Sequence, residues 1–215
     1  MTNEELLQLI EKAAKEGTTS LDLSNQRLKE LPHEIGQLTH LKQLDLSDNQ
    51  LKALPPQIGQ LTNLATLDLS NNRLILLPPE IGQLTKLTLL HLGGNKLNKL
   101  PPTIGQLTQL KILLLGDVLG GNPLTESLTE IGQLSNLAEL HLGDNQLTTL
   151  PLAIDQLTNL TTLDLRWNKL NKLPPEMARL TKLTKLYLDG NPLTSPPPDI
   201  VEQGTPAILA FLQAQ

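Results

Sequence analysis

At 215 residues the chain has room for one or two domains, yet it contains one Trp, one Tyr and one Phe, so the large filling units of an ordinary core are missing. The absence of cysteine excludes disulfides, thiolate metal sites and a Cys nucleophile, and fits a reducing compartment. The formal net charge of −5, from 22 acidic and 17 basic residues, leaves no basic stripe for nucleic acid. The N-terminus, Met-Thr-Asn-Glu-Glu, has no basic segment, and Gln8 interrupts the apolar residues Leu6, Leu7, Leu9 and Ile10. No secretory signal is therefore expected. No stretch approaches the roughly 18 consecutive apolar residues of a membrane span. The expected location is cytoplasmic.

In chain order, the first element is a helix over 2–16. Thr2 and Glu5 have the spacing of a capping box, Leu6, Leu7, Ile10, Ala13 and Ala14 form one apolar stripe, and Gly17 supplies the stop. From 18 onward the sequence repeats. Leu41 to Asn63 reads LKQLDLSDNQLKALPPQIGQLTN, and the next 23 residues read LATLDLSNNRLILLPPEIGQLTK. Eight such units cover 18–205, seven of 23 residues and one, 110–136, of 27.

Within the second unit, Leu44 and Leu46 are two apart and face one side of a short strand. Asn49 stands at the bend, where its amide can bond backbone groups, and stacked asparagines can satisfy the backbone of neighbouring coils. Leu51, Leu54, Ile58 and Leu61 point inward on the return path, where Pro55 and Pro56 disfavour a continuous α-helix. One unit cannot bury its leucines alone, whereas stacking makes the core continuous. In the 27-residue unit, taking Asn122 as the bend asparagine leaves an insertion at about 117–120, with Ser127 in a leucine slot and Leu128 in a proline slot. The insertion is open to two readings, a contribution to a binding face or a tolerated loop. In the first unit Gln26 replaces the asparagine. After the repeats, Pro206 can open a helix over 206–215 carrying Ile208, Leu209, Phe211 and Leu212 as the second end cap.

These eight in-register units, covering 188 of the 215 residues, resemble the leucine-rich-repeat family in its 23-residue form. The resemblance implies an α/β repeat fold in a single domain over 1–215. This is a right-handed solenoid with parallel β-strands on the concave face, a largely irregular or short-turn convex side and helical caps at both ends. It also implies recognition of a protein or peptide on the concave face. The segments EELLQLIEKAAKEGTTSLDLS (4–24) and NPLTSPPPDIVEQGTPAILAFLQ (191–213) are similar to the starts and post-repeat junctions of bacterial, especially cyanobacterial, Roco proteins. That similarity implies the N-terminal recognition domain of a larger protein, with a GTPase module of the same chain as a further partner. A free-standing bacterial binder or secreted effector is the alternative.

Catalytic chemistry is not expected. There is no GxxxxGK[ST], HExxH or GxSxG pattern, no convergent acid–base set, and no cofactor is implied. His33 and His40 fall on the first return path and are expected to be solvated. His91 and His141 share one strand slot two strands apart, so their bases are roughly 10 Å apart. Metal–nitrogen bonds of about 2 Å make joint coordination strained.

The concave face offers the expected site. The slot between the paired strand leucines holds Asp22, Asp45, Asp68, His91, Leu114, His141, Asp164 and Tyr187. Two residues earlier, Leu89 and Ile112 stand where other repeats carry Ser20, Gln43, Thr66, Glu139, Thr162 and Lys185. Arg166 and Trp167 follow the seventh strand. Three zones result: acidic and hydroxyl-bearing, apolar, and basic-aromatic. The aspartates read either as a habit of the repeat or as an electrostatic guide. Trp167 reads either as a contact residue or as cover for its neighbour's bend. The apolar centre of Leu89, Ile112 and Leu114 is the expected contact.

Overall fold

The computed structural model describes residues 1–116, 120–125 and 128–215. Helix α1 spans Asn3–Glu16. Eight short strands follow: β1 (Ser20–Asp22), β2 (Gln43–Asp45), β3 (Thr66–Asp68), β4 (Leu89–His91), β5 (Ile112–Gly116), β6 (Glu139–Leu142), β7 (Thr162–Asp164) and β8 (Lys185–Tyr187). They form one parallel sheet in sequence order, each strand beside the next. Parallel neighbours need a crossover, and here it is the rest of each repeat, closed by a five-residue 3-10 turn such as Pro56–Gln60.

The repeat grammar dictates this geometry. Leu44 and Leu46 are 1% and 0% exposed, and the return-path Leu51, Ile58 and Leu61 are fully buried. Each such side chain contributes about 1.5–3 kcal/mol when removed from water. Pro55 is extended at φ −69° and ψ 147°, and Pro56 opens the 3-10 turn with φ pre-set and no N–H to lose. Coils stack closely on the convex side, where a Cβ at Gly82 would lie 2.5 Å from the Thr103 carbonyl oxygen.

The expected asparagine ladder is present. Asn72 Nδ2 donates to the carbonyls of Leu46, Leu69 and Ser70 at 2.9, 3.1 and 3.1 Å, while its Oδ1 accepts from Leu51 N–H at 3.0 Å. Asn49, Asn95, Asn122 and Asn168 likewise bond the backbone of the preceding coil. Gln26, in the edge repeat, turns its amide to the Ser24 carbonyl instead.

The 27-residue repeat bends the ladder locally. β5 and β6 pair with Leu113↔Leu140 and Leu114↔His141, and the register then shifts so that Gly116 faces Leu142. Most of the proposed insertion (117–119), with Ser127, lies outside the described residues. Leu128, in the proline slot, is 2% exposed and takes φ −92°, ψ 49° where prolines take ψ near 145°. It adds a core side chain to the repeat that has Ser127 in its leucine slot.

Both ends carry helices. Thr2 Oγ1 accepts Glu5 N–H at 3.2 Å while Glu5 Oε2 accepts Thr2 N–H at 2.7 Å. Gly17 closes α1 at φ 63°, and Leu6, Ile10 and Ala13 are buried against the first coil. Leu7 and Ala14, expected on the same stripe, are half-buried. At the far end helix α2 (Pro198–Val201) precedes α3 (Thr205–Gln213), which buries Ile208 and Leu212. Helix α3 thus starts one residue before the expected Pro206 and ends at Gln213 rather than 215, and α2 is an element that the repeat period does not announce. No helix among the described residues is long and apolar enough to cross a membrane.

Candidate partner-binding face

Sheet register brings the expected residues into rows. One row runs Asp22, Asp45, Asp68, His91, Leu114, His141, Asp164, Tyr187, each paired with the next. A parallel row contains Thr66, Leu89, Ile112 and Glu139. Leu89 and Ile112 are thus direct neighbours, and Leu114 stands two residues beyond Ile112 on the same face. All three are half-buried, because residues two apart on neighbouring short strands shield one another.

The aspartates have structural work. Asp22, Asp45 and Asp68 each accept the backbone N–H two residues on, at Ser24, Ser47 and Ser70, all at 2.8 Å. This fixes the bend after the strand, which supports the structural reading of the column. Among the described residues these bonds use Oδ1 of Asp22 and Asp45 and none uses Oδ2. The Ser24 N–H holds the Asp22 carboxyl below its ordinary range. Burial pushes Asp68 up, but the His91 ring and Ser70 outweigh it and the net shift is down. His91 Nδ1 lies 3.3 Å from Asp68 Oδ2.

The middle repeats follow another rule. Where Asp gives way to His91, Leu114 and His141, the residue two further on is Gly93, Gly116 and Gly143 instead of serine. A Cβ at Gly93 would stand 3.2 Å from His91 Nε2. At His91 the larger side chain and the missing one are therefore matched, whereas a Cβ at Gly116 would meet the Gly143 carbonyl oxygen and Gly121 Cα of the neighbouring backbone.

At the C-terminal end one expectation fails. Asp164, placed in the exposed row, is fully buried. Arg166 folds back over it, Nε donating to Oδ1 at 3.0 Å and Oδ2 at 3.1 Å, with a further bond from Nη2 to Oδ2. Burial raises the Asp164 pKa, but the Arg166 hydrogen bonds outweigh it and the group stays below its usual value. The surface there is the outer side of the guanidinium, whose centre lies 5.0 Å from the Tyr187 ring centroid, within cation–π range. His141 sits 3.7 Å from Glu139 Oε2 and 3.9 Å from Asp164 Oδ2.

Trp167 is 61% exposed at φ 56°, a backbone region that costs a bulky residue about 1–3 kcal/mol. Its ring edge lies over Gly190, where a Cβ would come within 2.4 Å of Cε3. It covers its neighbour's bend and still presents most of the indole to solvent. No group of three or more His, Cys, Asp or Glu able to hold a metal occurs among the described residues.

Eight parallel strands in sequence order, an asparagine at seven of the eight bends and 3-10 returns that mostly follow a proline define a leucine-lined solenoid whose variable residues collect on the sheet face. Family models described as leucine rich repeat match residues 16–74, 118–170, 135–193 and 86–107. The chain belongs to the leucine-rich-repeat family. No curated protein matches it. Among solved structures, the LRR ectodomain of the plant membrane receptor kinase GASSHO1/SCHENGEN3 from Arabidopsis thaliana, in complex with CASPARIAN STRIP INTEGRITY FACTOR 2, is similar at 37% identity and a TM-score of 0.68, over 76% of this chain and 20% of that one. The plant peptide hormone receptor RGFR1 in complex with RGF2 is similar at 37% identity and a TM-score of 0.68, over 81% and 29%. Internalin C2 from Listeria monocytogenes is similar at 25% identity and a TM-score of 0.73, over 89% and 86%. The chain thus spans under a third of the length of the two plant receptors.

Proposed function

We propose that this chain is a protein-interaction module that holds a protein or peptide against the concave face of β1–β8. The observation that carries the reading is the apolar centre. Leu89, Ile112 and Leu114 occupy neighbouring strands in slots that elsewhere hold mainly Ser, Thr, Gln or Asp. The flanks differ in character, with carboxylates of Asp22 and Asp45 on one side and Arg166, Trp167 and Tyr187 on the other. A partner with an apolar centre and a basic end on the aspartate side fits this order. The plant receptors similar to the chain are in complex with CASPARIAN STRIP INTEGRITY FACTOR 2 and with RGF2, the second being a peptide hormone receptor, which supports the reading of a binding module.

The wider context we propose is the recognition domain of a cytoplasmic Roco-type protein, in which partner binding biases a GTPase module of the same chain. Its support is the similarity of residues 4–24 and 191–213 to Roco sequences. An antibody against the chain, used on source cells, tests it. A band far above 23.5 kDa agrees with a larger protein, and a band at 23.5 kDa refutes it in favour of a free-standing binder.

Substituting Leu89, Ile112 and Leu114 together by Asp tests the concave site. The half-buried positions should tolerate the change with an unaltered circular dichroism spectrum, while partner capture by the immobilised chain is lost. Equal capture by both forms overturns the proposal.

A further inference from the structure

From the last residues of each strand into its bend, the N–H groups of one coil donate to carbonyls of the next. Leu23 N–H donates to the Asp45 carbonyl at 2.8 Å, Leu46 to Asp68 at 2.8 Å and Leu165 to Tyr187 at 2.9 Å. The following donor behaves alike: Asn25 to Ser47 at 3.0 Å and Trp167 to Asp189 at 2.8 Å. In the last coil the equivalent donors are Leu188 and Gly190, and no ninth coil lies beyond them. The C-terminal cap satisfies only the donor before them, since Thr205 Oγ1 accepts Leu186 N–H at 3.1 Å. Among the described residues, the Leu188 and Gly190 N–H groups have no acceptor.

Two donors two residues apart on one edge are what a parallel strand needs from its neighbour. Beside them lies an open groove of about 340 Å³ between the β8 edge and the cap. Its apolar side is formed by Leu193, Pro196, Val201 and Ile208. Its charged lining residues are Asp189 and Glu202, with no Lys or Arg. The rim continues into Tyr187, and Trp167 lies over Gly190 beside it.

We infer that the C-terminal edge of the sheet is a second docking surface, separate from the concave centre, that takes an extended peptide with an apolar side chain next to a Lys or Arg. The peptide's carbonyls accept from Leu188 and Gly190, its apolar residue enters the groove and its cation meets Asp189 and Glu202. The charge favours this occupant over a second copy, because pairing two β8 edges brings the same acids near one another.

Random heptapeptides displayed on phage and selected on the immobilised chain provide the probe. The selected peptides are then titrated into the isotope-labelled chain by NMR. The expected peptides carry an apolar residue flanked by a basic one, shift the Leu188 and Gly190 amides and slow their exchange with solvent. Glu202→Lys, at an exposed site, and Val201→Arg, which fills the groove, should each weaken binding at least tenfold. The triple Asp substitution at Leu89, Ile112 and Leu114 should leave it unchanged, which separates this surface from the concave one. Failure to enrich any peptide, shifts confined to β3–β6, or unchanged affinity in Glu202→Lys overturns the inference. So does concentration-dependent protection of Leu188 and Gly190 in the chain alone, which would assign the edge to a second copy.

Discussion

Asn72→Ala removes one rung of the ladder, and the structure says which part of the loss matters. Its three acceptor carbonyls each keep another donor. Leu46 retains Asn49 Nδ2 at 3.0 Å, Leu69 retains Asn95 Nδ2 at 2.9 Å, and Ser70 retains the Asp48 N–H at 3.0 Å. Leu51 is different, being fully buried with its N–H bonded to Asn72 Oδ1. An orphaned buried N–H costs about 1–3 kcal/mol, and three donor bonds at the low end of about 0.5 kcal/mol each add roughly 1.5, for a total of about 2.5–4.5 kcal/mol. Asn63 is the control. It also bridges coils, donating to the Thr39 carbonyl at 2.9 Å and accepting from Lys86 Nζ at 2.6 Å, but it is exposed. Asn63→Ala should therefore stay within about 0.5 kcal/mol. Urea unfolding followed by circular dichroism measures both. A loss under about 1 kcal/mol for Asn72→Ala, or one no larger than for Asn63→Ala, would show that the buried rung is not what ties neighbouring coils.

Two further outcomes follow from close packing and from charge. Gly82→Ala should cost about 1–3 kcal/mol in the same assay, because its Cβ would meet the Thr103 backbone oxygen, which cannot swing away as a side chain can. A cost near zero would mean the convex turns have slack that the contact denies. Arg166→Met leaves buried Asp164, among the described residues, with the backbone N–H of position 166 as its remaining donor, a loss of about 1.5–3 kcal/mol at neutral pH. The Asp164 pKa is depressed in the fold, so this stabilisation is present above the unfolded carboxyl value of about 3.9 and fades as pH falls through the folded one. Wild type and variant should therefore converge in stability below about pH 4, and a gap independent of pH would assign the loss to packing.

The fold was legible because stacking imposes the same demands on every coil. The strand pair of Leu44 and Leu46 recurs in all eight repeats, the ladder asparagine in seven and the proline pair in five, and each has a geometric cause that one sequence displays many times. The capping box at Thr2 and Glu5 was readable for the same reason, since it lies within one turn. The misreadings share an opposite origin. Asp164 occupies the slot of exposed Asp22, and nothing in the period says that Arg166 rather than serine follows and folds over it. Thr205 caps Leu186 from 19 residues away, a bond that no other described repeat shows. Helix α2 replaces a 3-10 turn in a coil whose next neighbour is the cap rather than another repeat. The candidate site was visible as a list of slots, but the half-burial of Leu89, Ile112 and Leu114 needed the register.

The polarity of the stack joins these observations. At the end of the strand and in the bend a coil gives its N–H groups forward, whereas before the strand and beyond the bend it gives them back, as Lys42 does to Thr19 and Gln50 to Leu28. Among the described residues, only the first set lacks acceptors in the last coil, at Leu188 and Gly190. Leucine, asparagine and glycine meet the demands of stacking inside the coil and at its bends. That leaves the concave columns free to vary, and the middle repeats use the freedom by exchanging the Asp–Ser turn for His91–Gly93, Leu114–Gly116 and His141–Gly143. The aspartate turn is the default that stacking alone selects. Departures from it give up a turn hydrogen bond of about 0.5–1.5 kcal/mol and fall on three adjacent strands, β4, β5 and β6, the same strands on which the triple Asp substitution tests partner capture.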